Sequence, residues 1–254
     1  LTALTDDLRG NLDGEGSCAL PQTLPPGASY RCAFTATVRG NAGDSETNTV
    51  TAAGSDDDGQ PLSAHDSAVV TLTDVPSALQ MTTSASPTQL PEPGGGVTFS
   101  VAVENLSAVD TVTLTALTDD LHGDLDGVGS CALPQTLPSG ASYRCAFTAT
   151  VHGNAGDSAT DTGTATGSDD DGQPLSAHDS AVVTLTDVPS AIRLTASASP
   201  TQLPEPGGGV TLSVDVENLS AVDAVTLTAL TDDLHGDLDG EGSCALPQTL
   251  PPGA

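Results

Sequence analysis

Clustered carboxylates are the chemistry this sequence repeats most faithfully. Asp56, Asp57 and Asp58 stand in GSDDDGQPLSAHDSAVVTLTDVPSA at 54–78, and the same letters return unchanged at 167–191 with Asp169, Asp170 and Asp171. Carboxylates a few Å apart repel one another unless a cation lies among them or one takes up a proton. Ca2+ draws six to eight oxygens from carboxylates, amides and backbone carbonyls and tolerates irregular geometry, so an Asp run bounded by glycine on a tight loop is a fitting ligand source. The run is not an EF-hand, because Ser67 stands where the bidentate Glu would follow Asp56, and it is not the GGxGxD repeat of β-rolls. The competing reading gives Asp and Gly only turn chemistry and solubility.

Other candidate chemistry is weaker. SAHDS at 63–67 and 176–180 sets Ser, His and Asp side by side, but a triad converges from distant parts of a chain, whereas strand neighbours point to opposite faces. The chain is therefore not expected to be an enzyme. His122 and His152 correspond to Arg9 and Arg39 one period earlier, so a role requiring imidazole there is not expected. NLS at Asn105 and Asn218 fits the N-glycosylation acceptor pattern.

Cys18 and Cys32 are 14 residues apart, as are Cys131 and Cys145, while Cys244 has no such mate within the chain. With no CxxC and no nearby His to favour zinc, these spacings predict a disulfide in each copy and an oxidising, extracellular setting. Acidic residues number 34 against five arginines, with no lysine, and the net charge is −29. Such a chain repels nucleic acid and anionic membranes, and divalent cations are its natural partners. No apolar run long enough for a membrane span occurs, so no membrane insertion is expected here, and Leu1 in mid-pattern reads as part of a longer protein.

The elements that position these groups follow from an internal repeat. LTALTDDL begins at residues 1, 114 and 227, a period of 113, and only 18 of 141 compared positions differ between successive copies. Pro76 and Pro189 in TDVPSA interrupt the alternating runs. They divide the chain into 1–75, the C-terminal part of a β-sandwich repeat; 76–188, a complete repeat; and 189–254, the N-terminal part of the next. Period-two alternation predicts strands near 78–86, 97–105, 111–117, 131–133, 143–151, 159–166 and 181–187, with no stripe of helical spacing. PTQLPEPGGG after the first strand is expected to leave the ladder. The expected fold class is all-β, a tandem array of immunoglobulin-like β-sandwich domains.

PEPGGGVTFSVAVENLS, VTLTALTDDLHGDL, GSCALPQTLPSGASYRCAFTATV and SDDDGQPLSAHDSAVVTLTDV together cover the repeat. In these segments it resembles the conserved repeats of bacterial surface proteins with an immunoglobulin-like or CARDB-like sandwich. The resemblance implies a stalk or spacer at the bacterial cell surface. It departs from antibody-type domains in having no tryptophan and in its close cysteines, while Tyr143 two residues before Cys145 is similar to a tyrosine corner.

On an immunoglobulin-like topology, Glu104, Asn105, Asp110, Asp169, Asp170 and Asp171 fall at the pole where the chain arrives. Asp119, Asp120, Asp124, Asp126, Asp157 and Asp187 fall where it leaves, and Asp6, Asp7 and Asp74 match three of these in the first copy. With a linker of only VPSA the two poles must face each other. The expected metal ligands are therefore Asp6, Asp7, Asp56, Asp57, Asp58, Asp74, Glu104, Asp110, Asp119, Asp120, Asp169, Asp170, Asp171 and Asp187, with Ca2+ as the ion. These observations predict a structural extracellular protein, a stalk or fibre stiffened by Ca2+ and associating with other copies of the same repeat. The alternative is an adhesin whose repeats bind a glycan or host protein through exposed aromatic or concave apolar patches. Against it, Tyr30, Tyr143, Phe34, Phe99 and Phe147 all fall on the inward pattern.

Overall fold

The computed structural model describes residues 1–254. All nineteen of its regular elements are β-strands, and no helix is long and apolar enough to cross a membrane. The first copy contributes β1 (Ala3–Asp6), β2 (Gly10–Asn11), β3 (Ser45–Ser55) and β4 (Pro61–Thr71), joined in the order β2-β1-β3-β4.

The second copy holds the most complete set: β5 (Leu79–Ser86), β6 (Gln89–Pro91), β7 (Gly94–Asn105), β8 (Val112–Asp119), β9 (Gly123–Asp124), β10 (Gln135–Leu137), β11 (Ser142–His152), β12 (Ser158–Asp169) and β13 (Pro174–Thr186). One sheet runs β11-β7-β5 and the other β10-β8-β12-β13-β6, with β9 paired to β8. The third copy adds β14 (Ile192–Ser199), β15 (Thr211–Asn218), β16 (Val225–Leu227), β17 (Thr231–Asp232), β18 (Gly236–Asp237) and β19 (Gln248–Leu250), which pair locally as β14-β15, β16-β19 and β17-β18.

Alternation in β7 sends Val97, Phe99, Val101 and Val103 into the core, while Thr98 and Ser100 stay exposed. Phe147 of β11 lies directly across from Phe99 in register, and their rings stack with centroids 5.4 Å apart. From the other sheet Leu114, Leu117, Leu137, Ala165 and Val183 close over them, with Leu125 following β9. Each such large side chain, fully buried, contributes roughly 1.5–3 kcal/mol. Two sheets facing across a shared apolar layer are consistent with a β-sandwich.

Both expected disulfides are formed, Cys18–Cys32 and Cys131–Cys145, and Cys244 is free. The Tyr143 hydroxyl accepts the Ala132 N–H at 2.7 Å, pinning the segment after the bridge to β11.

Three expectations are corrected. PTQLPEPGGG does not leave the ladder altogether, because Gln89–Pro91 pairs in parallel with Thr184–Thr186 at the edge of the second sheet. Backbone carbonyls of Thr88 and Thr186 anchor both ends of this short strand, and at an edge the missing proline N–H costs no ladder bond. The strand expected at 131–133 forms instead at Gln135–Leu137, because the turn carrying Cys131 is tied to β11. Finally, β12 and β13 pair down to Ser168 and Pro174, so the long connection expected between them shrinks to a short turn.

Candidate metal centres

The repeated aspartates divide three ways. Asp169 is buried, and its Oδ1 accepts the Gln173 N–H at 2.7 Å, closing the turn between β12 and β13. Asp56 does the same in the first copy, accepting the N–H groups of Asp58 and Gln60. Asp170 reaches sideways to the Thr111 N–H at 3.1 Å. Asp171 alone crosses to the preceding copy, where its Oδ1 accepts the Ala42 N–H at 3.1 Å. Asp57 and Asp58 stand exposed.

Around Asp171 the structure gathers Asp74 and Asp110, with one oxygen of each of the three carboxylates within 4.8 Å of the others. Asp110 is held by hydroxyl donors, Ser77 Oγ at 2.7 Å and Ser107 Oγ at 3.1 Å. A second cluster, Glu92, Asp187 and Asp223, lies at the next boundary under the same 4.8 Å limit. Ser190 Oγ donates to Asp223 there at 2.9 Å, as Ser77 does to Asp110. Asp187 and Asp223 stand one period after Asp74 and Asp110. The same pair of acids thus meets at both boundaries.

The two clusters differ electrostatically. Glu92 accepts the N–H groups of Val188 at 3.0 Å and Ala155 at 2.8 Å, and these bonds hold its carboxyl below the usual range. Burial raises the Asp171 carboxyl; the Ala42 bond opposes this, and the charges of Asp110, Asp170 and Asp169 reinforce it. Glu92 was hidden in a segment read only as turn-forming, and Asp223 was reachable by carrying Asp110 forward one period.

Other expected ligands lie elsewhere. Glu104 sits within β7 opposite Gln80 and Ser142, outside both clusters. Asp7 and Asp120 accept the N–H groups of Thr49 at 2.9 Å and Thr162 at 2.8 Å, bracing neighbouring strands. Asp124 and Asp126 shape the turn before the disulfide, and Asp157 accepts the Asn154 N–H. Asn105 and Asn218 are fully buried. Asn105 Nδ2 donates to the carbonyls of Asp110 and Leu137, both at 2.9 Å, so the folded chain does not offer this amide to a glycan. Asn218 repeats the arrangement with Asp223 and Leu250.

Asp119 lies in a third cluster, inside the second copy. It ends β8, Asp161 lies on the adjacent β12, and His122 folds back from the turn between β8 and β9. Asp119 Oδ1 accepts the N–H groups of Leu121 and His122 and lies 2.8 Å from His122 Nδ1, which is 3.4 Å from Asp161 Oδ1. The imidazole is 5.4 Å from the Phe147 ring, centroid to centroid. Burial, followed by the hydrogen bond and charge of Asp119, pushes the Asp161 carboxyl up to about 7. Burial acts on Asp119 as well, but its hydrogen bonds with Asp161, His122 and the backbone outweigh it and hold that carboxyl low. The exchange of Arg9 for His122 argued against an imidazole role. The accompanying exchange of Asn48 for Asp161 was the signal that this pocket differs between copies.

Comparison with protein-family models gives no match, and neither does a search of curated proteins.

Proposed function

We propose that the chain is part of a structural extracellular protein, a tandem array of immunoglobulin-like sandwich repeats forming a stalk or fibre, with Ca2+ bound where successive repeats meet. One observation carries this reading: the acid that follows the last strand of one repeat meets the same acid of the next repeat's Asn105–Asp110 loop at both boundaries, as Asp74 with Asp110 and as Asp187 with Asp223. Asp171 completes the first cluster and Glu92 the second. By the sequence period, a boundary between two complete repeats would carry all four acid positions, those of Glu92, Asp187, Asp223 and Asp171. Four carboxylates with nearby carbonyls suit a cation that prefers oxygen and accepts irregular coordination.

Two disulfides fit an oxidising location. Phe99 and Phe147 are buried in the core and Tyr143 packs half-buried against it, which speaks against an adhesive surface built on exposed aromatic anchors. Near identity of the copies serves spacing better than a specialised pocket. By the same reading the protein is not an enzyme.

The test is thermal unfolding and small-angle scattering of the chain in excess Ca2+ and then in chelator, with Asp110→Asn/Asp223→Asn alongside. At a hundred times the dissociation constant one bound ion stabilises by about 2.7 kcal/mol. Ca2+ should therefore raise Tm by several degrees and lengthen the particle, and the double variant should lose both effects. Identical curves with and without chelator would overturn the proposal.

A further inference from the structure

Asp161 is 1% exposed, and in its ionised form neither carboxylate oxygen has a hydrogen donor in the fold, so that only a protonated Asp161 can bond Asp119. A buried, unpartnered carboxylate is costly and is rarely left so without a proton or a cation. Its Oδ1 faces His122 Nδ1 at 3.4 Å, with Asp119 Oδ1 on the other side of that nitrogen at 2.8 Å, and one donor atom from each of the three lies within 4.8 Å of the others. We infer that Asp119, His122 and Asp161 form a binding site for a divalent transition ion of the Zn2+ class, separate from the boundary carboxylates.

The donor set favours such an ion over Ca2+, because imidazole nitrogen is a good ligand for Zn2+ and a poor one for hard cations. Around a tetrahedral ion with bonds of roughly 2.0–2.1 Å, ligand atoms stand about 3.3 Å apart. The 3.4 Å separation already fits that edge, and the 2.8 Å contact needs to open by roughly half an ångström. The ion needs the neutral imidazole with its hydrogen on Nε2, leaving Nδ1 as the ligand, and the proton held by Asp161 leaves to solvent as the ion enters. The His122 side chain, 31% exposed, gives the ion a way in, while Phe99 and Phe147 back the ring.

The first copy supplies the internal contrast. There Asp6 is kept, Arg9 stands for His122 and Asn48 for Asp161. One acid becomes an amide and the imidazole becomes a fixed cation, so that pocket has lost two of its three ligands. In the third copy Asp232 and His235 repeat the 2.8 Å contact, but these two ligands alone bind more weakly.

The test is a chelator-buffered Zn2+ titration of the whole chain in saturating Ca2+, which occupies oxygen-only sites. Wild type should bind one Zn2+ tightly, and Co2+ in its place should give the visible absorption of tetrahedral coordination. Asp161→Asn should weaken Zn2+ binding at least tenfold, and His122→Arg/Asp161→Asn at least a hundredfold with loss of the Co2+ band. Both substitutions restore residues that the first copy carries at these positions, and metal-free melting curves check that each variant folds. Equal Zn2+ affinity in wild type and the double variant, or no tight Zn2+ in wild type, would overturn the assignment and leave Asp161 as a carboxyl that keeps its proton.

Discussion

Asp161 makes a measurable demand on the metal-free protein. Its carboxyl, raised to about 7, faces Asp119, Asp120 and His122, so the native state keeps a proton that an unfolded Asp releases near pH 4. A raised acid favours the native state fully below its unfolded pKa, and that contribution is lost as pH climbs through the folded value. In chelator, Tm of the wild type should therefore fall between about pH 4 and pH 7 relative to Asp161→Asn. A parallel pH profile in the two proteins would contradict the raised carboxyl. Gly129 offers a second test, because its φ is +60° and an added Cβ would lie 2.2 Å from the Ala146 carbonyl oxygen. Gly140, at φ +72°, has open space around it. Gly140→Ala should cost only the left-handed penalty, about 1–2 kcal/mol. Gly129→Ala should cost clearly more in urea unfolding, because backbone must also move.

At the scale of elements, the disulfide and the strand pairing divide the work of holding β11. Cys131 and Cys145 close a loop with a sequence separation of 14, which in the chain-entropy picture stabilises by roughly 3 kcal/mol. Cys131→Ser/Cys145→Ser should lose about that much, read as a lower urea midpoint with β-sheet circular dichroism retained. Retention is expected because β11 is paired to β7 along its whole length, from Ser142 with Glu104 to His152 with Gly94. The segment YRCAFTATV occurs at 30–38 and again at 143–151. Only the second copy forms a strand, because only there does the same copy hold a β7-type segment, which pairs with β5 on one edge and with β11 on the other. The other such segment in the chain, in β15, belongs to the third copy and pairs with β14.

Across the whole molecule, the boundaries decide whether copies behave as loose beads or as a rod. Each boundary brings acids from two copies together, and in the absence of cations their mutual repulsion should favour bent or separated arrangements. At low ionic strength in chelator, added NaCl should compact the particle modestly by screening. Ca2+ should lengthen and stiffen it at concentrations far too low to screen. If NaCl and Ca2+ act alike in scattering at equal ionic strength, the boundary acids are a diffuse charged surface and not a site.

The sequence alone determined the features that depend on local pattern or on counting: strands from period-two alternation, the 113-residue period, paired cysteines at a fixed spacing, and an acidic chain suited to cations. It also placed Asp74, Asp110 and Asp171 at one boundary, because a short linker leaves little choice about which poles meet. Tertiary structure decided whatever depended on contacts distant in the chain. The edge strand Gln89–Pro91 exists because β13 offers it partners, and a run read as turn acquires Glu92 as a held carboxylate. Asp119 was expected at a boundary, but strand register sets it beside Asp161, 42 residues later, and under His122. A residue's type shows what it can bind, while register and burial decide which groups it meets and whether water can satisfy it instead.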